Sequence, residues 1–257
     1  MKKLRGLILD LDGTIIDSRI NQYEWLKHCT EDIFNKPFPY KSCSKSFLKK
    51  YISSYKKCGL RGLYEMFDID YNNNSDILWR EFNKWKKENP APIIKDMEET
   101  IFEIYNHSRP KPGRATGLRI ALNTVNTWPS FENSFYKSGL IKCFDTVITG
   151  GDIPDVIDDK GVKKHLLLKP NSYSVEWILD LLNIEPEEAL HVGDTPHDII
   201  CCQNLKRRNP DGTNEVKAVG VTWGFDTKEN LETVNPYKII SNPKQLIKIV
   251  EELGGFD

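Results

Sequence analysis

Residues 4–14 read LRGLILDLDGT, and this stretch decides the fold. Its first part, residues 4–9, is a short apolar run that ends abruptly at Asp10. Such a run is typical of a strand buried on both faces of a parallel sheet. The glycine at position 13 allows the chain to turn sharply directly after this strand. We therefore expect the strand to deliver Asp10 and Asp12 to its carboxyl end.

From residue 112 onward, short apolar runs alternate with stretches of helical periodicity. The expected strands are 118–123, 144–148, 188–192, 217–222 and a short one near 237–240, and the expected helices are about 128–138, 172–183, 197–205 and 242–252. This alternation predicts an α/β fold, with right-handed crossovers that build a parallel sheet covered by helices on both faces. Two segments, 153–164 and 206–215, are expected to be surface insertions.

The region between the first and second strands is helical in pattern. Apolar residues recur there at helical spacing, as at Phe47, Tyr51 and Tyr55. We predict an inserted helical module at 18–108, and residues 1–17 and 109–257 are expected to form the α/β core.

Composition excludes several classes of function. The chain has 257 residues, with 36 Lys and Arg against 37 Asp and Glu, so a net charge of −1 gives no electrostatic case for nucleic-acid binding. No apolar run approaches the roughly 18 residues that cross a bilayer, and Asp10 and Asp12 interrupt the apolar stretch that a secretory signal would need. The six cysteines show no CxxC spacing, which favours free thiols over a zinc site. We expect a cytoplasmic protein that binds neither nucleic acid nor membrane.

Side chains suited to phosphate chemistry follow several of the expected elements. They are Asp10 and Asp12, Thr124, Lys169, and Asp194 and Asp198. In an open parallel sheet, ligands bind at the carboxyl ends of the strands. Three converging acids repel one another unless a cation joins them, and oxygen-only ligands favour Mg²⁺. A hydroxyl and an ammonium would neutralise phosphate charge, so the set predicts phosphoryl transfer.

These motifs resemble those of the haloacid dehalogenase superfamily of phosphohydrolases. The DxDGT signature stands at Asp10–Thr14, the strand-end hydroxyl at Thr124, the lysine at Lys169 and GDxxxD at Gly193–Asp198, in the family's order. The segment Val219–Phe225 is similar to the phosphoglycolate-phosphatase-like branch. The resemblance implies a Rossmann-like parallel sheet core, with the helical insertion as a mobile cap.

The resemblance also implies roles for these residues. Asp10 would attack phosphorus to form an aspartyl-phosphate, and Asp12 would act as general acid and base. Thr124 and Lys169 would bind the transferring phosphoryl group. Mg²⁺ would be held by Asp10, the backbone carbonyl of Asp12 and Asp194, with Asp198 orienting Lys169 or a metal-bound water.

One position departs from the family pattern. The residue after the strand-end hydroxyl is usually Asn, whereas here it is Val125, and Asn126 comes next. That position mainly offers its backbone N–H to phosphate, so we expect Val125 to bind substrate in the same way and catalysis to survive.

A basic run lies within the expected helical module. Seven Lys and Arg residues and no acid lie from Lys41 to Arg61. They form either a solvated helix face or, at one or two positions, contacts that close over an anionic substrate. Arg61, next to Gly62 at an expected helix junction, is the candidate substrate contact.

The sequence thus predicts a Mg²⁺-dependent phosphatase that hydrolyses a small phosphorylated metabolite, with a phosphoglycolate-like monoester as the leading candidate. Two alternatives stay open: a phosphomutase of the β-phosphoglucomutase kind, which shares the core motifs, and a catalytically idle binding protein on the same scaffold. A dehalogenase is disfavoured, because Asp12 supplies an acid/base group that dehalogenases generally lack.

Overall fold

The computed structural model describes residues 2–109, 117–130, 132–157, 163–164, 166–205 and 215–256. The strands are β1 (Gly6–Leu9), β2 (Arg119–Asn123), β3 (Thr146–Ile148), β4 (Val156–Ile157), β5 (Lys163–Lys164), β6 (Ala189–Gly193), β7 (Lys217–Val221) and β8 (Lys238–Ile240). The helices are α1 (Ser18–His28), α2 (Lys45–Glu65), α3 (Tyr71–Glu88), α4 (Met97–Ser108), α5 (Glu132–Ser138), α6 (Tyr173–Leu182), α7 (Pro196–Gln203), α8 (Lys228–Glu232) and α9 (Gln245–Glu252).

Six strands form one sheet in the order β3-β2-β1-β6-β7-β8, and every neighbouring pair is parallel. The chain builds one half of the sheet outward from β1 and the other half outward from β6. The strand order therefore reverses between these two neighbours, and such a switch point is where an open parallel sheet binds ligands. The prediction of a Rossmann-like parallel α/β core is confirmed.

The central strand β1 is buried on both faces. Leu7, Ile8 and Leu9 have no exposed side-chain surface, which explains why this strand is a continuous apolar run. Ile8 belongs to the apolar core that α6 and α7 form over one face of the sheet. Because successive side chains alternate, Leu7 and Leu9 are buried on the other face.

His191 on β6 is a core histidine. Its ring is fully buried, and its Nε2 lies 3.3 Å from Nδ2 of Asn123 on β2. Burial lowers the pKa of His191 to about 3, and the positive charge of Lys169 acts in the same direction. The imidazole is therefore neutral near pH 7.

The chain divides into two compact units. The sheet unit comprises the described parts of Met1–Ile16, Ile93–Trp128 and Phe135–Asp257, and the helical unit comprises those of Asp17–Pro92 and Pro129–Ser134. The helical unit therefore begins directly after the DxDGT turn, as an insertion into the α/β unit.

Helix α4 lies in the sheet unit and not in the helical insertion predicted at 18–108. Ile16 forms a bridge with Ile93, and the N–H of Ile94 donates to the carbonyl of Ile15, so the chain returns to the sheet unit before α4 begins. The buried face of α4 then packs against α9. Helical periodicity alone could not show which unit this face would join.

Aromatic side chains fill the core of the helical unit. Trp25, Phe47 and Tyr64 are buried there, and Trp25 Nε1 donates a hydrogen bond of 3.0 Å to the hydroxyl of Tyr64. Helix α2 is broken at Cys58 and Gly59, where Gly59 has φ 59°. Glycine is favoured at this φ because it lacks a Cβ.

The two expected insertions are described only in part. Of 153–164, residues 153–157 and 163–164 are described, and β4 pairs with β5 there in an antiparallel ribbon. The segment 206–215 lies outside the described residues apart from Glu215.

All six cysteines are unpaired, and four of them are buried. Within the described ranges, we find no helix with the length and apolar character needed to span a membrane.

Candidate active site

Three carboxylates meet at the switch point of the sheet. Asp10 directly follows β1, Asp194 directly follows β6, and Asp198 lies in the first turn of α7. All three are buried, and one potential ligand oxygen from each lies within 4.8 Å of the others. The backbone N–H of Asp10 donates to the carbonyl of Val192 at 2.9 Å, which continues the β1–β6 pairing to the carboxyl edge of the sheet.

Lys169 links two of these carboxylates. Its Nζ donates to Asp10 Oδ1 at 2.5 Å, to Asp198 Oδ1 at 2.6 Å and to the carbonyl of Asn123 at 3.0 Å. An ammonium has three N–H donors, so all of them are used. The side chain is 5% exposed, and this buried position depends on its two ion pairs.

Asp198 has two structural tasks at once. Its Oδ1 accepts from Lys169, while its Oδ2 accepts from the N–H of Thr195 at 3.1 Å and from the Thr195 hydroxyl at 2.7 Å. The second pair of bonds belongs to a capping box at the start of α7. The cap therefore fixes the same carboxylate that binds Lys169.

Asp194 has one oxygen in a hydrogen bond and one without. Its Oδ2 accepts from the N–H of Phe225 at 2.6 Å. Its Oδ1 is buried, and the described residues provide no hydrogen-bond partner for it. Gly13, with φ 80°, lies so close that a Cβ there would be 2.1 Å from Asp194 Oδ2. The glycine of DxDGT is thus required both by its φ and by this close approach.

The charges within the cluster do not balance. Burial raises the pKa of Asp10 to about 7, with Lys169 opposing the shift and Asp198 adding to it. Burial also raises the pKa of Asp194 well above its usual range, and repulsion from Asp10 and Asp198 adds to this rise. Burial alone would raise the pKa of Asp198, but the charge and hydrogen bond of Lys169, together with His191 and the hydrogen bond from Thr195, hold that pKa below its ordinary value.

A divalent cation fits this arrangement. One ammonium against three carboxylates leaves two negative charges uncompensated when all three are ionised, and Asp194 Oδ1 is an unpartnered oxygen beside them. Carboxylate oxygens without nitrogen or sulfur ligands are the donors that Mg²⁺ prefers. The residues present are therefore compatible with a Mg²⁺ site, and the remaining expected ligand, the backbone carbonyl of Asp12, follows Asp10 on the same turn.

The carboxyl end of β2 contributes a second group of polar contacts. Thr124 is buried, and its Oγ1 accepts from the N–H of Asn126 at 3.0 Å. Val125 exposes 43% of its surface. Asn126 Nδ2 lies 3.1 Å from Asp12 Oδ2, so this loop is in contact with the DxDGT turn.

Arg61 lies in the helical unit, on the part of α2 that follows the break at Cys58 and Gly59. Its Nε pairs with Glu65 at 3.1 Å, and the side chain is about half exposed. The break explains the helix junction expected at this point, although it lies two residues before Arg61.

Several residues of the site were not identified from the sequence. Asn123 and Phe225 act through backbone groups, and the Thr195 side chain acts through the cap. Backbone contacts leave no signature in residue type, so the segment around Phe225 stood out only through its family resemblance. Asn126 drew attention only as a departure from the family pattern.

Comparison with known proteins identifies the family. The family model for haloacid dehalogenase-like hydrolases matches residues 7–208. The chain belongs to the haloacid dehalogenase-like hydrolase family. The matched residues include Asp10, Thr124, Lys169 and the GDxxxD segment, and the prediction of a hydrolase of this superfamily is confirmed.

Relatives within the family match the whole chain. The chain is 25% identical over 265 residues to the pyrophosphatase PpaX of Bacillus mycoides, covering 98% of this chain and 100% of that protein. It is 26% identical over 262 residues to PpaX of Bacillus anthracis strain A0248, covering 98% and 99% of the two chains.

Solved structures share the fold at lower identity. A predicted phosphoglycolate phosphatase from Haemophilus somnus 129pt has a TM-score of 0.70 at 16% identity, over 97% of this chain and 99% of that one. A predicted phosphatase from Clostridium acetobutylicum has a TM-score of 0.65 at 18% identity, over 98% and 100%. At these identities the likeness shows the fold alone.

Proposed function

We propose that this hydrolase is a Mg²⁺-dependent phosphatase that acts on a small phosphorylated metabolite through an aspartyl-phosphate on Asp10. The observation that carries the proposal is the buried Asp10 carboxylate, held by Lys169 beside Asp194 and Asp198 at the switch point of the sheet. A phosphoglycolate-like monoester is one candidate substrate. Inorganic pyrophosphate is the other, because relatives that match the full chain are named pyrophosphatases.

The residues present account for both chemical steps. In the first, an oxygen of Asp10 forms a bond to phosphorus, the bond from phosphorus to the leaving oxygen breaks, and Asp12 gives that oxygen a proton. In the second, water attacks phosphorus, Asp12 takes its proton, and the bond to Asp10 breaks. The net reaction is hydrolysis, and Asp12 ends in the protonation state in which it began.

The other groups of the site would position the nucleophile and neutralise the charge of the phosphoryl group. Lys169 fixes the Asp10 carboxylate through a bond of 2.5 Å, and its positive charge would attract the phosphoryl oxygens, which the Thr124 hydroxyl and the Val125 backbone N–H would bind. When bound, Mg²⁺ would supply charge neutralisation for phosphate oxygens from a position held by Asp10, the Asp12 carbonyl and Asp194, with Asp198 orienting Lys169 or a metal-bound water.

The helical unit would serve as the cap that selects the substrate. It is inserted directly after the DxDGT turn, and it carries the basic run that ends at Arg61. A cationic surface on such a unit would favour anionic substrates over neutral ones. The unpaired state of all six cysteines supports a reducing location such as the cytoplasm.

Phosphate release from a panel of phosphoglycolate, sugar phosphates, nucleotides and pyrophosphate tests the proposal. We expect release from at least one of these compounds with Mg²⁺ and none with chelator. No release from any member would contradict the phosphatase proposal and favour the idle scaffold. A phosphorylated enzyme that reacts with a sugar phosphate faster than with water would instead identify a phosphomutase.

Mg²⁺ is expected to raise the melting temperature of the wild type and to have little effect on Asp194→Asn. The ion would relieve the repulsion among the buried carboxylates, and a ligand at about 100 times its Kd stabilises a protein by about 2.7 kcal/mol. Thermal unfolding with excess Mg²⁺ and with chelator measures the effect. Asp180→Asn, at an exposed site on α6, should keep the full shift. A full shift in Asp194→Asn would place the ion elsewhere.

Asp12→Ala is expected to slow both formation and hydrolysis of the aspartyl-phosphate, because the same carboxylate gives and then takes the proton. General acid–base catalysis contributes about 10²–10⁴-fold, so kcat should fall by that range. Rapid-quench measurement of phosphoenzyme and of released phosphate separates the two steps. Asp180→Ala should change neither rate, whereas wild-type rates in Asp12→Ala would require a different acid and base.

A further inference from the structure

Asn126 is held in one orientation by four hydrogen bonds. Its backbone N–H donates to Thr124 Oγ1 at 3.0 Å, and its carbonyl accepts from the N–H of Gly150 at 2.8 Å. Its side-chain Oδ1 accepts from the N–H of Thr127 at 3.0 Å, and its Nδ2 donates to Asp12 Oδ2 at 3.1 Å. Both the backbone and the carboxamide are therefore fixed.

The contact with Thr127 determines which end of the carboxamide faces Asp12. The backbone N–H of Thr127 can donate only to the oxygen of the carboxamide. The NH₂ group of the carboxamide must therefore be the end that points at Asp12. An NH₂ group donates and does not accept. The Asp12 oxygen opposite it, Oδ2, is consequently the one that accepts a hydrogen bond.

Asp12 needs such a partner. It is only half-buried, on the turn that follows β1, and within the described ranges no other side-chain hydrogen bond reaches its carboxylate. A carboxylate without a fixed partner can rotate about its side-chain bonds, and misplacement of a reacting group by about 1 Å can reduce a rate by about 10²-fold.

We propose that Asn126 is a positioning residue for proton transfer by Asp12. It holds Asp12 in one rotamer and occupies Oδ2, so that the transferred proton is carried by Oδ1. In the first step, the proton on Oδ1 moves to the leaving oxygen as its bond to phosphorus breaks; in the second, Oδ1 takes a proton from the attacking water. This assignment rests on the proposed function, in which Asp12 is the acid and base.

The test exploits the dependence of the reaction on its leaving group. The leaving group of p-nitrophenyl phosphate departs without a proton, whereas the alcohol of an alkyl phosphate needs one. We expect Asn126→Ala to lower the rate of phosphoenzyme formation from the best alkyl phosphate about 10-fold or more, with less than about 3-fold change in KM. Formation from p-nitrophenyl phosphate, measured in the same rapid-quench experiment, should change less than about 3-fold, whereas hydrolysis of the phosphoenzyme should slow equally for both substrates.

Two further variants sharpen this test. Asn126→Asp keeps the shape but replaces the donor with an acceptor, so it should impair alkyl phosphate hydrolysis at least as much as Asn126→Ala does. Asn72→Ala, at an exposed site on α3, should leave both substrates unaffected. Equal slowing of phosphoenzyme formation from both substrates in Asn126→Ala, or no slowing from either, would overturn the positioning role.

An NMR measurement that requires no catalytic turnover tests the contact between Asn126 and Asp12 independently of the proposed function. In nitrogen–proton NMR spectra of the full chain, Asp12→Ala should shift the side-chain NH₂ resonances of Asn126, whereas Asp180→Ala should not. Unchanged Asn126 resonances in Asp12→Ala would overturn the contact even in an active phosphatase. A shift in an enzyme that releases no phosphate would support the contact and contradict the proposed function.

Discussion

Asp10→Asn is expected to reduce phosphate release at least roughly 10³-fold, because the variant lacks the carboxylate that would attack phosphorus. An amide oxygen is a much weaker nucleophile, and an acyl phosphate cannot form on it. The substitution is nearly isosteric, so the positions of Lys169, Asp194 and Asp198 should change little. Phosphate release from the best substrate, with Mg²⁺ present, measures the loss.

The fold should survive this change for an electrostatic reason. Burial raises the pKa of Asp10 to about 7, so the charged form is already disfavoured by its surroundings. A neutral amide removes repulsion with the neighbouring acids, while Lys169 keeps its bond of 2.6 Å to Asp198. We expect circular dichroism and the melting temperature in chelator to stay close to those of the wild type.

A matched variant separates loss of chemistry from loss of structure. Asp180→Asn makes the same chemical change on the exposed surface of α6 and should keep full activity. An Asp10→Asn protein that is folded and still releases phosphate at a rate near that of the wild type would contradict the assignment of the nucleophile.

Much of the sheet was predictable because its strands are buried. A central strand buried on both faces is largely apolar, and β1 accordingly reads as an apolar run that ends at Asp10, while β6 is apolar apart from the buried His191. The ribbon of β4 and β5 was not predicted, since strands of two residues are too short to show any periodicity. The unit to which α4 belongs was mispredicted because a helical stripe shows that a face is buried, not what covers it.

The residues of the candidate site likewise fall into those that the sequence predicts and those that it does not. Residues whose side chains carry the chemistry, such as Asp10 directly after β1 and Lys169 in the turn before α6, were predictable from residue type and place along the chain. Contacts made by the Asn123 carbonyl and the Phe225 N–H were not, because every residue carries those groups. The contact between Asn126 and Asp12 is visible only in the three-dimensional structure, because the two residues are 114 positions apart in the sequence.

Lys169→Met is expected to destabilise the fold by about 3–5 kcal/mol near neutral pH in chelator, the usual effect of removing one partner of a buried ion pair. Methionine has a similar length but no charge, so Asp10 and Asp198 would remain as two buried carboxylates without their shared cation. Urea unfolding followed by circular dichroism measures the difference. We also expect loss of most phosphate release, because Lys169 orients the nucleophile.

The difference in stability between the wild type and Lys169→Met should shrink as the pH is lowered. In the wild type, Lys169 holds the pKa of Asp198 below its ordinary value, so this carboxylate contributes stability above its unfolded pKa and loses it as the pH falls. In the variant, burial and mutual repulsion raise the pKa of both carboxyls, so folding takes up protons and stability falls as the pH rises. The two pH profiles therefore converge toward acid.

The convergence distinguishes an electrostatic cause from a packing cause. A cavity or steric clash at methionine would destabilise the variant equally at all pH values, because no proton is involved. Lys228→Met removes an exposed lysine from a surface pair with Glu232 and should change stability by less than about 1 kcal/mol at any pH. A pH-independent deficit in Lys169→Met would show that the ion pairs with Asp10 and Asp198 do not hold this lysine in place.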